Sequence, residues 1–253
     1  MTIQNKIVLI SGATSGIGKA TAELFAENGA ILILCGRRIE RLDSLKETLS
    51  RKTKVYTLQF DVREKATVFK LLQNLPPEFA AIDILINNAG NAHGLDPFQF
   101  GDIDDWDAMI DINVKGLLYM SKAVLPKMLE KQAGHIINIG STAGKEVYPN
   151  GNVYCASKHA VDAINQGMRL DLNGTGIKIS AINPGMVETE FSEVRFKGDT
   201  ERAKKVYQNF TPLQPEDIAD IILFAVTRPP HVNIADLTVM CLDQASSTVV
   251  NKR

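Results

Sequence analysis

The sequence predicts a single α/β domain built on a doubly wound parallel sheet with helices on both faces. Three observations carry this. Short runs rich in Ile, Val and Leu alternate with longer amphipathic stretches along the whole chain. The first such run ends in a glycine-rich turn that opens a helix. No internal repeat, low-complexity tract or linker divides the 253 residues, a length that suits one large core needing neither disulfides nor metals.

Residues 6–11, Lys-Ile-Val-Leu-Ile-Ser, have the unbroken apolar character of a strand buried on both faces. The turn Gly12-Ala13-Thr14-Ser15-Gly16-Ile17-Gly18 follows, then an amphipathic helix to about Asn28 that Gly29 closes. Its G-x-x-x-G-x-G spacing departs from the more common G-x-G-x-x-G, yet the physics is shared. Gly12 permits the tight turn, Gly16 and Gly18 let backbone approach a pyrophosphate, and free N–H groups at the helix start face the anion. The second strand, Ile31 to Cys35, ends in Gly36-Arg37-Arg38. An acidic residue at this strand end would bind the ribose hydroxyls of NAD, whereas a basic one accommodates the 2′-phosphate of NADP. Two arginines and no acid therefore favour NADP(H), since a guanidinium pairs with phosphate through two hydrogen bonds.

A helix over 39–50 leads to strand 54–60 and Asp61-Val62. Asp61 stands at a carboxyl strand end, where ligands of open sheets collect. Two roles remain open for it: accepting from the adenine amino group, or capping the helix that begins near Glu64. That helix ends at Pro76-Pro77. Strand 83–86 follows, and Asn87-Asn88-Ala89-Gly90 sets small residues and amides where a cofactor ribose would cross the sheet edge. Residues 91–103 form a loop in which His93 reads as a surface residue. A long helix covers 104–130, with Pro126 marking a kink late in it. Asparagine disfavours a helix interior, so Asn113 is placed there for its side chain. Strand 135–139 ends in Gly140-Ser141-Thr142, and the next helix runs to about Asn173-Gly174. The last strands are 177–182 and 237–242. Between them lie Pro184-Gly185, a segment to Asp199, and helices near 200–209 and 215–226.

The helix before Gly174 carries Tyr154 and Lys158, four residues apart and so on one face. Such pairs also arise by chance; their weight comes from the rest of the chain. Net charge of −1 gives no electrostatic basis for binding nucleic acid or an anionic membrane. Cys35, Cys155 and Cys241 are odd in number and far apart, as reduced, buried thiols would be. No charged-then-apolar leader precedes Ile7 and no run reaches membrane-spanning length, which fits the cytoplasm. No pair of residues has metal-ligand spacing.

Over essentially its whole length the sequence resembles the short-chain dehydrogenase/reductase family. Gly12-x-x-x-Gly16-Ile17-Gly18, Asp61, Asn87-Asn88-Ala89-Gly90, Asn113, Ser141, Tyr154-x-x-x-Lys158 and Pro184-Gly185 carry the resemblance, in order and at the family's spacing. It implies a Rossmann-type fold and hydride transfer to or from a nicotinamide. It also extends the cofactor set to Ala13, Thr14, Ser15, Val62, Val187 and Thr189. A closer resemblance is to the bacterial NADP-dependent 3-hydroxy acid dehydrogenases, also called serine dehydrogenases. Gly36-Arg37-Arg38, residues 135–144, the run from Thr189 to Asp199, and Tyr207-Gln208-Asn209 carry it. This implies small 3-hydroxy acids (serine, allo-threonine, 3-hydroxypropionate) or their semialdehydes as substrates, a homotetramer, and a substrate-covering segment at about 185–212.

To accept a proton from a substrate hydroxyl, Tyr154 must ionise from a phenol pKa of about 10. Lowering it by about 3 units needs roughly 4 kcal/mol, which one cation about 4 Å away supplies at an effective dielectric near 20. Lys158 is the expected source, with oxidised nicotinamide adding a second positive charge. By the resemblance, Ser141 holds the substrate oxygen, Asn113 holds a water in a relay to Lys158, and Lys158 also binds the nicotinamide ribose. An acid substrate needs a cation, and Arg195 in the covering segment is the candidate; a surface or segment-stabilising arginine is the other reading. Two further functions stay open: a reductase of another small aldehyde such as sulfoacetaldehyde or of carbonyls broadly, and a non-catalytic NADP-sensing protein. Loss of Tyr154, Lys158 or Ser141 would mark the last, and all three are present.

Overall fold

The structure, a computed structural model, describes residues 2–253. Seven parallel strands form one sheet: β1 (Ile7–Ser11), β2 (Ile31–Gly36), β3 (Val55–Gln59), β4 (Ile84–Asn87), β5 (Gly134–Ile139), β6 (Ile177–Pro184) and β7 (Asp236–Val239). Their spatial order is β3-β2-β1-β4-β5-β6-β7. The chain first builds outward from β1 to β3, then returns to the other side of β1. The order therefore reverses between β1 and β4, and a crevice opens beyond their carboxyl ends. The doubly wound sheet expected from the alternation is borne out.

Strand residues alternate between two cores because successive side chains point to opposite faces. Val8, Ile10, Leu32 and Leu34 pack under helices α1 (Gly16–Glu27), α2 (Ile39–Leu49) and α9 (Pro215–Val226), through Phe25, Leu42 and Ile222. Leu9, Ile33 and Leu85 face the opposite layer, where Val68 of α3 (Lys65–Gln73) and Met120 and Met128 of α5 (Leu117–Glu130) cover them. Gly29 ends the first helix as expected. Its φ is 76°, and Ala30 N–H donates to Phe25 O at 3.0 Å, as in a Schellman cap.

Three differences from the sequence expectation bear on the site. The helix predicted over 104–130 is α4 (Ile103–Ile110), then a π-helical turn at Asp111–Gly116, then α5. Pro126 sits inside α5, whereas the departure from α-helical geometry lies at the π turn that holds Asn113. Such turns re-aim a side chain by admitting one extra residue. Second, Asp61 caps no helix: Glu64 occupies the N-cap of α3. Third, the segment after β6 contains a short helix that periodicity did not show, α7 (Phe191–Arg195), before α8 (Thr200–Val206). The last strand stops at Val239, short of the predicted 242. The remaining helix, α6 (Asn152–Asp171), carries Tyr154 and Lys158.

Candidate active site

The crevice is a cavity of about 530 Å³. At one end of it the turn after β1 depends on glycine at two positions: Gly12 and Gly16 have φ of 66° and 50°, a region that L side chains rarely adopt. Gly18 answers a packing need, since a Cβ there would lie 2.4 Å from Gly12 O. Asn88 locks the turn from the next strand, its Nδ2 donating to Ser11 O at 2.9 Å and Gly12 O at 3.0 Å. Its side chain is thus spent on the turn, while Ala89 and Gly90 line the cavity.

Ser15 starts α1 without capping it. Its hydroxyl instead accepts from Arg38 Nη2 at 2.8 Å, and Thr14 Oγ1 accepts from the same nitrogen at 3.1 Å. Arg38 thereby reaches into the cleft beside the glycine turn. Arg37 is more peripheral, with Nη1 3.8 Å from Asp61 Oδ2 and the side chain 62% exposed. The carboxylate of Asp61 is mainly engaged by Arg63, at 2.8 Å. Burial pushes the Asp61 carboxyl up, but the hydrogen bonds and charge of Arg63 outweigh this and hold it low. Hydroxyls, guanidiniums and left-handed backbone converge here in a set that suits phosphate.

At the other end, Tyr154 and Lys158 are each only 8% exposed. Lys158 Nζ donates to Ile139 O at 2.9 Å, and burial pushes its pKa down to about 8. Tyr154 departs from expectation. Burial raises its pKa, and the groups acting against burial are the positive charge of Arg195 and a hydrogen bond with Ser141. The cation that faces the phenol ring is Arg195, 4.9 Å from the centroid. Ser141 Oγ also accepts from Ala143 N–H at 3.1 Å, which fixes its turn.

Asn113 lies behind the cavity wall. Its Oδ1 accepts from Asn91 N–H at 2.8 Å, and its Nδ2 donates to Asn91 O at 2.9 Å and Ser157 Oγ at 3.0 Å. Gly90 separates it from Lys158: a Cβ there would meet Asn113 Oδ1 at 3.1 Å and Lys158 Nζ at 3.6 Å. Ala13 and Gly18 also stand behind the wall. Ala13 is buried, and its N–H donates to Cys35 O at 3.0 Å. The other residues expected at the site, including Val62, Pro184, Gly185, Val187, Thr189 and Arg195, line the cavity.

Three further residues at the site, Tyr148, Glu190 and Phe191, carry no signal in the sequence pattern. Tyr148 Oη accepts from Arg195 Nη2 at 2.9 Å, and Phe191 packs its ring against Tyr154 at 5.7 Å. Glu190 bridges Arg38 at 2.9 Å and Arg41 at 2.6 Å. Tyr148 lies in a loop without periodicity, so only the fold brings it to Arg195.

A family model for short chain dehydrogenases matches residues 6–200. The chain belongs to that family. An NADP-dependent 3-hydroxy acid dehydrogenase, YdfG of Salmonella typhi, is 49% identical over 240 residues, covering 94% of this chain and 96% of the relative. Sulfoacetaldehyde reductase 2 of Chromohalobacter salexigens is 47% identical over 242 residues, 95% of this chain and 96% of its own. Among solved structures, the closed form of a serine dehydrogenase complexed with NADP+ superposes with a TM-score of 0.93 at 46% identity, covering 97% of this chain and 99% of the other. Among the described residues, no helix of this short-chain dehydrogenase is long and apolar enough to cross a membrane.

Proposed function

We propose that the chain is an NADP-dependent oxidoreductase moving a hydride between NADP(H) and small 3-hydroxy acids or the matching semialdehydes. The observation that carries the substrate class is Arg195. Its guanidinium is on the cavity wall beside Tyr154, and its Nε is buried without a partner. A substrate carboxylate supplies the missing acceptor and the opposite charge. Relatives that act on 3-hydroxy acids, and one named for serine, support the same reading.

The residues present fit the cofactor. Arg38, with Arg37, Thr14 and Ser15, would hold the 2′-phosphate end, and the turn from Gly12 to Gly16 the pyrophosphate. Bound NADP(H) supplies the hydride acceptor or donor. Tyr154 moves the proton at its Oη, and Ser141 holds the substrate oxygen against it. Burial keeps the phenol protonated at neutral pH, so Tyr154 stands ready as the acid of reduction. Oxidation needs the phenolate, which the positive charges of Arg195 and Lys158 favour. Lys158 would bind the nicotinamide ribose. Asn113 fixes Asn91 and Ser157 beside it, and a second lone pair on its Oδ1 is available to a water leading to Lys158. We further propose that segment 185–212 covers the substrate, and that the chain works as a cytoplasmic homotetramer. The exposed apolar residues Leu118, Leu170 and Leu242 support the association.

A second reading is favoured by the sulfoacetaldehyde reductase relative. A sulfonate would use Arg195 as a carboxylate does. Absorbance of the reduced nicotinamide separates them, with L-serine, L-allo-threonine, 3-hydroxypropionate and a neutral alcohol oxidised by NADP or NAD, and sulfoacetaldehyde and malonic semialdehyde reduced by NADPH. Turnover of the hydroxy acids with NADP is expected. NADPH oxidation confined to the sulfonated aldehyde would reassign the substrate.

A further inference from the structure

Helix α7 joins the two ends of the cleft. Glu190 stands at its N-cap and Arg195 is its last residue. At the start, Glu190 Oε2 accepts from Arg38 Nη1 at 2.9 Å and Oε1 accepts from Arg41 Nη1 at 2.6 Å. Thr189 sits against the glycine turn, where a Cβ on Gly16 would meet its Cγ2 at 3.2 Å. At the far end, Arg195 lies over the rings of Tyr154 and Phe191 and donates to Tyr148. One short helix is thus tied to the residues after β2 at one end and set over the reacting tyrosine at the other.

The contact at Glu190 has the character of a catch. Burial pushes its carboxyl up, but hydrogen bonds from Arg41 and Arg38 outweigh this and leave it below the usual carboxylate range. It is therefore charged at neutral pH. The three side chains are 39%, 41% and 46% exposed, so water and salt screen the pairs. Exposed pairs of this kind add little to a fold. They suit a segment that must open in each turnover.

We propose that Glu190 is the latch of segment 185–212, a positioning residue that holds α7 on Arg38 and Arg41 and thereby fixes Arg195 over Tyr154. The inference rests on the proposed pairing of Arg195 with the substrate's acid group. It adds a connection: the latch closes on Arg38, the arginine assigned to the 2′-phosphate, so the nucleotide side and the substrate side share one side chain. Arg41, outside the cofactor set, is the cleaner half of the pair to vary.

The test uses Glu190→Gln, Arg41→Gln and the double variant. Hydrogen exchange is read in the cofactor-free chain at the Val194 and Phe196 amides, which donate to Glu190 O and Ser192 O inside the helix. Steady-state kinetics are read with a 3-hydroxy acid and with a neutral alcohol. Each single variant should speed exchange at both amides. It should also raise KM for the hydroxy acid roughly three- to tenfold while the alcohol KM, and kcat read on the high-pH plateau, change less than about twofold. The double variant should be no worse than Glu190→Gln alone, which already breaks both pairs, and the swapped pair Glu190→Arg with Arg41→Glu should recover part of the loss. Unchanged exchange and KM in Glu190→Gln, additive losses in the double, or equal losses on the neutral alcohol would overturn the latch. Should the native enzyme turn over no hydroxy acid, the substrate reading fails, and the exchange result alone decides the latch.

Discussion

The guanidinium of Arg195 lies over the ring of Tyr154, 4.9 Å from its centroid. This places a positive charge from the segment after β6 over a phenol whose pKa burial raises, and the charge opposes that rise. In the proposed function this one side chain would serve two tasks, binding the acid group of a substrate and favouring ionisation of Tyr154. Both follow from the same position.

Replacing Arg195 with Ala should therefore have two effects. KM for 3-hydroxy acids should rise about 10- to 100-fold, the worth of a charge-assisted hydrogen bond, with little change for a neutral alcohol. Losing the cation also raises the Tyr154 pKa, so the oxidation rate should reach its plateau at higher pH. Initial rates across pH with both substrates check this; equal losses on acid and alcohol would remove the carboxylate role.

Tyr154→Phe should lower kcat by about 10²- to 10⁴-fold in both directions, the usual contribution of a positioned acid–base group. A fluorescence titration with NADPH should stay within about twofold of the native value, because the proposed phosphate site, at the glycine turn and Arg38, lies at the other end of the cleft. A parallel loss of NADPH binding would mean that Tyr154 acts through structure and not through its proton.

Cofactor selection should follow Arg38 more than Arg37. Arg38 reaches Thr14 and Ser15, whereas Arg37 is 62% exposed. Arg38→Ala should weaken NADPH binding by about tenfold or more and leave NADH nearly unaffected. Arg37→Ala should do less. Equilibrium titrations with both nucleotides settle the order, and a loss shared equally by NADH would count against a 2′-phosphate role.

Acid stability should depend on His135. This residue of β5 is buried, meets Ser180 Oγ at 2.7 Å, and has its pKa pushed by burial down to about 3 from 6.5. Between those values the unfolded chain takes up a proton that the folded chain refuses, so folding weakens as pH falls from 6.5 towards 3. The two units between 6.5 and 4.5 are worth about 3 kcal/mol. Urea unfolding at pH 7 and 4.5 should show that much less pH dependence in His135→Gln; identical slopes would assign the acid sensitivity elsewhere.

Much of the architecture was legible in short windows of sequence. The two-sided burial of Val8 to Ile10, the left-handed demand at Gly12 and Gly16, and the closing Gly29 are local properties, set by side-chain alternation and backbone sterics. The shared face of Tyr154 and Lys158 likewise needs only helical geometry. The π turn at Asn113 escaped notice because one added residue barely alters an apolar stripe. Tyr148 and α7 escaped because nothing periodic announces a short irregular segment.

The sequence by itself determined the fold class, the glycine turn and the identity of the groups available for proton transfer. The tertiary structure decided how those groups are partnered. Arg38 and Glu190 stand 152 positions apart, and no local pattern pairs them. Burial lowered the Lys158 pKa and raised that of Tyr154, and the fold set the Arg195 cation over the phenol ring. Desolvation and long-range charge depend on what surrounds a residue in space, and only the folded chain supplies those surroundings.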